Sequence, residues 1–342
     1  MKHLVTGGSG FLGNLIARRL RAQGESVVVF DLWEDPTRPD DIAFVRGDVR
    51  DRQAVAAIMN GVDVVHHTAA RVPLTKAGKE FWSVNVEGSR IVAEEAARAG
   101  VKAFIHMSSS AIFGAPKQCP ITSSAKPQPV EIYGRSKLAG ELAVRAVCER
   151  TGMPLIIIRP RTILGRGRLG IFQILFQWIA ENRRIYVIGS GNQLFQFVHA
   201  DDLIDAYMLV MQSGRVGTYN VGTDRFGTLR DTLDDLIRYA KSKSRVVGLP
   251  ALPTITVLRL LDWLGLSPLA PWHYLTYHKP FYFDVSDLLQ LGWRPRYSNI
   301  EMFREAYDWF LKNRDTPLTQ AAASPHRSVV AERLLALIKR FS

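Results

Sequence analysis

Cysteine is scarce in this chain, with two residues, Cys119 and Cys148, among 342. Two thiols make neither a disulfide framework nor a thiolate metal site, and they suit a reducing compartment. Acidic residues are the minority charge, 32 against 44 Lys and Arg, giving a net charge of +12 and an isoelectric point near 9.8. That excess favours anionic ligands or an acidic surface nearby, and an ordinary solvated basic surface accounts for it equally well. No long Lys/Arg run or nucleic-acid motif accompanies the charge, so nucleic acid is not an expected partner. Long apolar runs are missing too. The nearest, over 249–272, is interrupted by Arg259, Asp262 and several prolines, and falls short of a membrane span. Met1-Lys2-His3 leads directly into a short apolar run, leaving no room for a secretion signal. The expectation is a soluble, cytoplasmic protein of one large domain or two interlocked ones.

What is present alternates strand and helix patterns. Lys2 to Thr6 reads as a buried strand, Gly7-Gly8-Ser9-Gly10-Phe11-Leu12-Gly13 as a turn, and the following residues as a helix to about Arg21. Glycines at 7, 10 and 13 suit a tight turn, close backbone approach to a pyrophosphate, and close packing of helix on sheet. The spacing is Gly-x-x-Gly-x-x-Gly rather than the commoner Gly-x-Gly-x-x-Gly, and a plain glycine-rich turn is the bland alternative. A second strand, Ser26 to Phe30, ends in Asp31, placed to accept from an adenosine ribose hydroxyl and to repel a 2′ phosphate. That favours NAD over NADP. Strands are also expected at Ile42–Val45, Val62–His67, Val101–Met107 and Met153–Ile158, with helices near Asp51–Met59 and Gly78–Ala99. Asp48 and Val49 follow one strand, and Ala69 and Ala70 form a small-residue turn after another, where a cofactor can lie close. His66 and His67 lack a third ligand at metal spacing and read as a strand end. Asn85 either braces the site's backbone or is a plain helix polar. The pattern is α/β, a Rossmann-like doubly wound parallel sheet.

Tyr133 and Lys137 lie four apart at the start of an apolar-periodic helix and so share a face. A phenol with an ordinary pKa near ~10 becomes a usable base when a cation beside it favours the phenolate. Two such residues more often decorate a solvated helix. Here they follow Ser108-Ser109-Ser110 at the carboxyl end of a strand, the usual ligand edge of a parallel sheet.

These motifs, in this order, resemble the extended short-chain dehydrogenase/reductases, a family that includes nucleotide-sugar epimerases and dehydratases and the 3β-hydroxysteroid-type dehydrogenases. Arg159-Pro160, Phe197 to Asp202 and Tyr219-Asn220-Val221-Gly222 extend the likeness over about residues 1–313. The resemblance implies an NAD-dependent enzyme in which Tyr133 moves the hydroxyl proton, Lys137 holds the nicotinamide ribose, and Ser109 completes the catalytic set. It implies cofactor contacts at Gly7, Gly10, Phe11, Leu12, Gly13, Asp31, Asp48, Val49, Ala69, Ala70, Asn85, Ser108, Tyr133, Lys137 and Pro160. It implies substrate contacts at Ser110, Arg161, Thr162 and Phe195. It divides the chain into a cofactor domain over 1–160, with later contributions from about 197–222, and a smaller substrate-binding lid over 161–313. A homodimer is expected on the same ground.

Three departures bear on substrate. Ser109 is followed by Ser110 and Ala111, where dehydratases of the family carry an acidic pair. Arg161-Thr162 stands where many sugar-nucleotide members have an Asn. Leu194-Phe195-Gln196 fills a stretch where they often carry a phosphate-gripping Arg. With the aromatic run Trp272, Tyr274, Tyr277, Phe281, Tyr282 and Phe283, this favours oxidation of a hydroxyl on a hydrophobic, sterol-like or lipid body. The cluster Arg161, Arg166 and Arg168 suits the diphosphate of the alternative, a nucleotide-sugar epimerase, or a carboxylate on a lipid-like substrate, and a surface loop explains it equally well; a catalytically silent NAD-binding regulator ranks last, since Tyr133 and Lys137 are both present. Residues 314–325 read as a linker. Residues 326–342 read as a basic amphipathic helix, suited to peripheral contact with an anionic membrane or to docking on protein.

Overall fold

The structure, a computed structural model, describes residues 1–72, 78–264, 267 and 269–314. Eleven strands are found among them: β1 Lys2–Thr6, β2 Ser26–Asp31, β3 Ala43–Arg46, β4 Val64–His67, β5 Ala103–Met107, β6 Leu155–Pro160, β7 Thr162–Leu164, β8 Ile185–Ile188, β9 Phe197–His199, β10 Gly217–Val221 and β11 Val246–Leu249. Seven form one sheet in the order β10-β6-β5-β4-β1-β2-β3, with every pairing parallel. Parallel strands buried on both faces need apolar residues throughout, as in the Leu-Ile-Ile-Ile run of β6. Alternate residues serve opposite faces. Val5, Val27 and Val29 join one core with Ile16 and Leu20, while Leu4, Val28 and Phe30 join the other with Val92 and Val144. This is the doubly wound α/β sheet expected from the sequence.

The order reverses between β1 and β4, which opens a crevice at their carboxyl ends. The remaining strands form two small parallel pairs, β8 with β11 and β7 with β9. Helices Leu229–Tyr239 and Asn299–Asn313 each begin with a capping box, from Thr228 and Ser298. The helix expected over Gly78–Ala99 is interrupted. A short helix Glu80–Trp82 passes into a π turn at Ser83–Gly88 before Ser89–Arg98. The wide turn carries Asn85, and the Asn85 carbonyl lies where a side chain on Gly140 would be, 2.0 Å from an ideal Cβ. Asp202, in the first turn of helix Ala200–Ser213, accepts from the Arg296 and Tyr297 amides, both at 3.0 Å, and so ties that helix to the later chain.

Among the described residues no helix is long and apolar enough to cross a membrane. Of the expected linker only Arg314, at the end of the last helix, is described; residues 326–342 lie outside the described residues.

Candidate active site

The crevice is lined from both sides of the strand-order reversal. Gly7, Gly10, Phe11, Leu12 and Gly13 follow β1, and Ala69 and Ala70 follow β4. A Cβ on Gly13 would sit 2.3 Å from the Gly7 carbonyl, and one on Gly7 would sit 2.6 Å from the Ala69 backbone, so only glycine permits this approach. Helix Phe11–Ala22 starts from an extended Gly10 with no side-chain cap. Its first amides are therefore available to an anion at the positive end of the helix dipole. Asp31, at the end of β2, accepts from Ser9 N at 3.0 Å and Leu32 N at 2.7 Å; burial raises its pKa, opposed by those bonds. Asp48 and Val49 line the same end, and Asp48 is paired with Arg50, which lowers its pKa. A glycine cradle under a helix N-terminus, with a carboxylate at the next strand end, fits a dinucleotide.

The other end collects Ser108, Ser109, Ser110, Tyr133, Lys137, Pro160, Arg161 and Thr162. Helix Ile132–Thr151 is held at its start by Glu131, whose carboxylate accepts from the Tyr133 and Gly134 amides at 2.6 Å each. It is held further along by Glu141, buried, which pairs with Arg159 of β6 and accepts from Ser108 Oγ at 2.7 Å. These ties set Tyr133 beside Ser109, and Phe81 packs edge-on against the phenol at 6.1 Å. Burial pushes the Tyr133 phenol above its ordinary value, while the hydrogen bond with Ser109 and the charge of Arg168 pull it down. The sequence reading assigned that pull to Lys137. Lys137 Nζ instead donates one of its three hydrogens to the Met107 carbonyl at 2.6 Å, and burial lowers its pKa to about 8.

Arg161 and Arg168 reach the cavity while Arg166 turns to solvent and pairs with Glu305 at 2.8 Å. The split follows from a tight turn, in which Arg168 N bonds the Gly165 carbonyl and Gly167 sits at φ 74°. Arg161 is buried over the Phe281 ring at 3.7 Å and donates to Ser110 Oγ at 3.1 Å and to the Gln196 carbonyl at 3.0 Å. Its Nη2 has no partner, and burial lowers its pKa to about 9.

Two expected contacts do not stand as read. Phe195 is fully buried beneath Arg161 and does not line the cavity, because β9 begins just beyond it and the core claims its ring. Asn85 does not reach the cavity either. Its side-chain amide accepts from Arg71 N at 2.8 Å and donates to Ser136 Oγ at 2.9 Å, which makes it a brace. Ser108 lines the wall with its hydroxyl committed to Glu141. Gln196 is likewise tied, to the Thr223 carbonyl and the Phe283 amide. Of the aromatic run, Trp272 and Tyr277 line the cavity, whereas Tyr274, Phe281 and Phe283 are core.

Sequence reasoning missed Trp33, Arg71, the 169–172 wall and His273, whose positions no local motif marks. It also missed the partners of the strand-end histidines. His66 bonds His3 and the Tyr207 hydroxyl, at 2.8 and 2.6 Å, and His67 bonds Thr6 and Ser89, at 2.7 and 2.8 Å.

A sequence profile described as the NAD dependent epimerase/dehydratase family matches residues 3–222. The uncharacterized protein y4nG of Sinorhizobium fredii is 44% identical over 336 residues, covering 98% of this chain and 85% of that protein. The dTDP-D-glucose 4,6-dehydratase of Mus musculus is 25% identical over 329 residues, covering 91% and 88%. Among solved structures, the UDP-glucose 4-epimerase of Thermus thermophilus in complex with NAD matches with a TM-score of 0.74 at 24% identity, covering 93% of this chain and all of that one.

Proposed function

Because this chain belongs to the NAD dependent epimerase/dehydratase family, we propose that it is an NAD-dependent nucleotide-sugar epimerase. It would oxidise and then re-reduce one carbinol carbon of the sugar within a single turnover. The observation that carries this choice is the make-up of the reacting end. Among the described lining residues the carboxylates are Asp31 and Asp48, both at the β2–β3 side, and Ser109 is followed by Ser110 and Ala111. Elimination of water would need a second acid/base beside Tyr133. The hydrophobic body expected from the aromatic run loses part of its support, since Phe281 and Phe283 enclose Arg161 and, of that run, Trp272 and Tyr277 line the cavity. Both named activities among the relatives reported above concern nucleotide sugars.

On this reading Gly7, Gly10 and Gly13 take the cofactor's pyrophosphate, Asp31 its adenosine ribose, and Lys137 its nicotinamide ribose. NAD supplies a hydride acceptor that becomes the donor. Tyr133 takes the substrate hydroxyl proton and later returns it. The Ser109 hydroxyl and the Arg168 charge favour its phenolate and offset part of the burial penalty. Lys137 remains a cation near neutral pH, since about 8 lies above that range. Ser110 and the unpartnered Nη2 of Arg161 offer donors to sugar oxygens. Residues 1–160, with later contributions from about 197–222, would hold the cofactor, and the rest of 161–313 would mainly enclose the substrate.

The test is incubation with NAD and a panel of UDP- and dTDP-sugars, each product identified by NMR. An epimer formed without net NADH is expected. NADH accumulating in step with a ketone product, or a 4-keto-6-deoxy sugar, would refute epimerisation.

A further inference from the structure

We propose that helix Ala251–Trp263, with the basic edge of the β8–β11 sheet beside it, seats this protein on an anionic lipid bilayer surface. The helix would lie in the headgroup plane rather than cross the membrane. None of its residues is buried. Leu252 and Trp263 are 83% and 81% exposed, the two highest values among the large apolar residues described, and Val257, Leu260 and Leu264 are each more than half exposed. At the ~100° advance per residue of a helix these five fall within an arc of about 140°, with Arg259 and Asp262 outside it. The side turned inward packs on β8 and on helix Pro271–Thr276. By contrast helix Phe172–Ala180, the more apolar of the two in sequence, buries Phe172, Phe176, Trp178 and Ile179. The exposed face is therefore not a general feature of the apolar helices here.

The charge next to this face suits anionic lipid. Arg184 precedes β8, and Lys241, Lys243 and Arg245 precede β11, whose first residue pairs with the first of β8. All four are exposed, and none forms an ion pair among the described residues. Strand β11 runs from this basic edge directly into the helix through Pro250, so the two features lie about 13 Å apart along four strand residues. An apolar helical face beside unpaired cations is the pattern of an interfacial helix. A second copy of the chain is a poor occupant. A thirteen-residue helix is about 20 Å long and offers far less than the ~800 Å² per partner of a stable interface, and the chain carries +12. The surface lies one helix from the cavity, because Pro271–Thr276 supplies Trp272 and His273 to its wall.

The test is sedimentation of the full chain with vesicles of phosphatidylcholine, with and without phosphatidylglycerol, at low and high salt. Binding to the anionic vesicles is expected, weakened by salt. The Leu260→Gln/Trp263→Gln variant should lower the apparent affinity by about tenfold or more. Lys241→Gln/Lys243→Gln should weaken binding and flatten its salt dependence. These side chains are exposed, so both variants should keep the parent's melting temperature and gel-filtration profile. Absence of vesicle binding would overturn the proposal. So would binding that the helix variant leaves unchanged, which would assign the contact to another part of the chain. A change of oligomeric state in the helix variant, with no vesicle binding by the parent, would assign the face to a second copy and also overturn it.

Discussion

Replacing Lys137 with methionine should end activity while making the ligand-free chain more stable. Lys137 is 4% exposed, and burial holds its pKa at about 8 against an ordinary 10.5. The gap of about 2.5 pH units (10.5 − 8) corresponds to about 3 kcal/mol of folding stability lost when the ammonium is charged. Methionine fills similar space without the charge. It leaves the Met107 carbonyl without this donor, which costs about 1 kcal/mol. The net gain at pH 7 is thus about 2 kcal/mol. The sign follows from the direction of the shift. The folded pKa lies below the unfolded one, so between pH 8 and 10.5 the unfolded chain holds the extra proton and the parent gains stability as pH rises. The variant's advantage is full below pH 8 and fades to near zero by about pH 10. Urea unfolding of both proteins at neutral and alkaline pH measures it, because groups remote from Lys137 cancel in the difference and the coupled His67, His106 and Glu141 titrate at lower pH. Equal stabilities at pH 7, or a difference that does not shrink on raising the pH, would refute the argument.

Tyr133→Phe should lower turnover by about 10²- to 10⁴-fold while leaving NAD affinity, followed by calorimetry, within about twofold; retained turnover would remove Tyr133 from the proton-transfer role. Asp31→Asn should shift cofactor preference toward NADP by about tenfold, read from the ratio of dissociation constants, because it removes the charge that repels a 2′ phosphate. Gly140→Ala should destabilise the chain by about 1–3 kcal/mol, seen as a lower melting temperature, because its Cβ would meet the Asn85 carbonyl of the π turn at 2.0 Å. A variant as stable as the parent would mean that this turn yields easily.

The doubly wound sheet was legible in the sequence because its signals are local. A strand buried on both faces must be apolar throughout, and the turn at Gly7–Gly13 tolerates no side chain at its closest approaches. The spacing of Tyr133 and Lys137 likewise fixes their shared face on any helix. What each group then touches was not legible, since it depends on residues remote in the chain. Lys137 finds Met107 and Ser108 finds Glu141, while Asn85 turns from the crevice to Arg71 and Ser136 because a π turn widens its helix. The three arginines of 161–168 read as one cluster, yet a glycine turn sends Arg166 to solvent and Arg168 inward, and the aromatic core takes Arg161. Phe195 and Leu252 show the same limit. Both are large apolar side chains in apolar stretches, and only packing decides that one is fully buried while the other is 83% exposed. Periodicity and steric permission act within a few residues and survive in the sequence, whereas burial, partner choice and the resulting pKa values are properties of distant segments brought together.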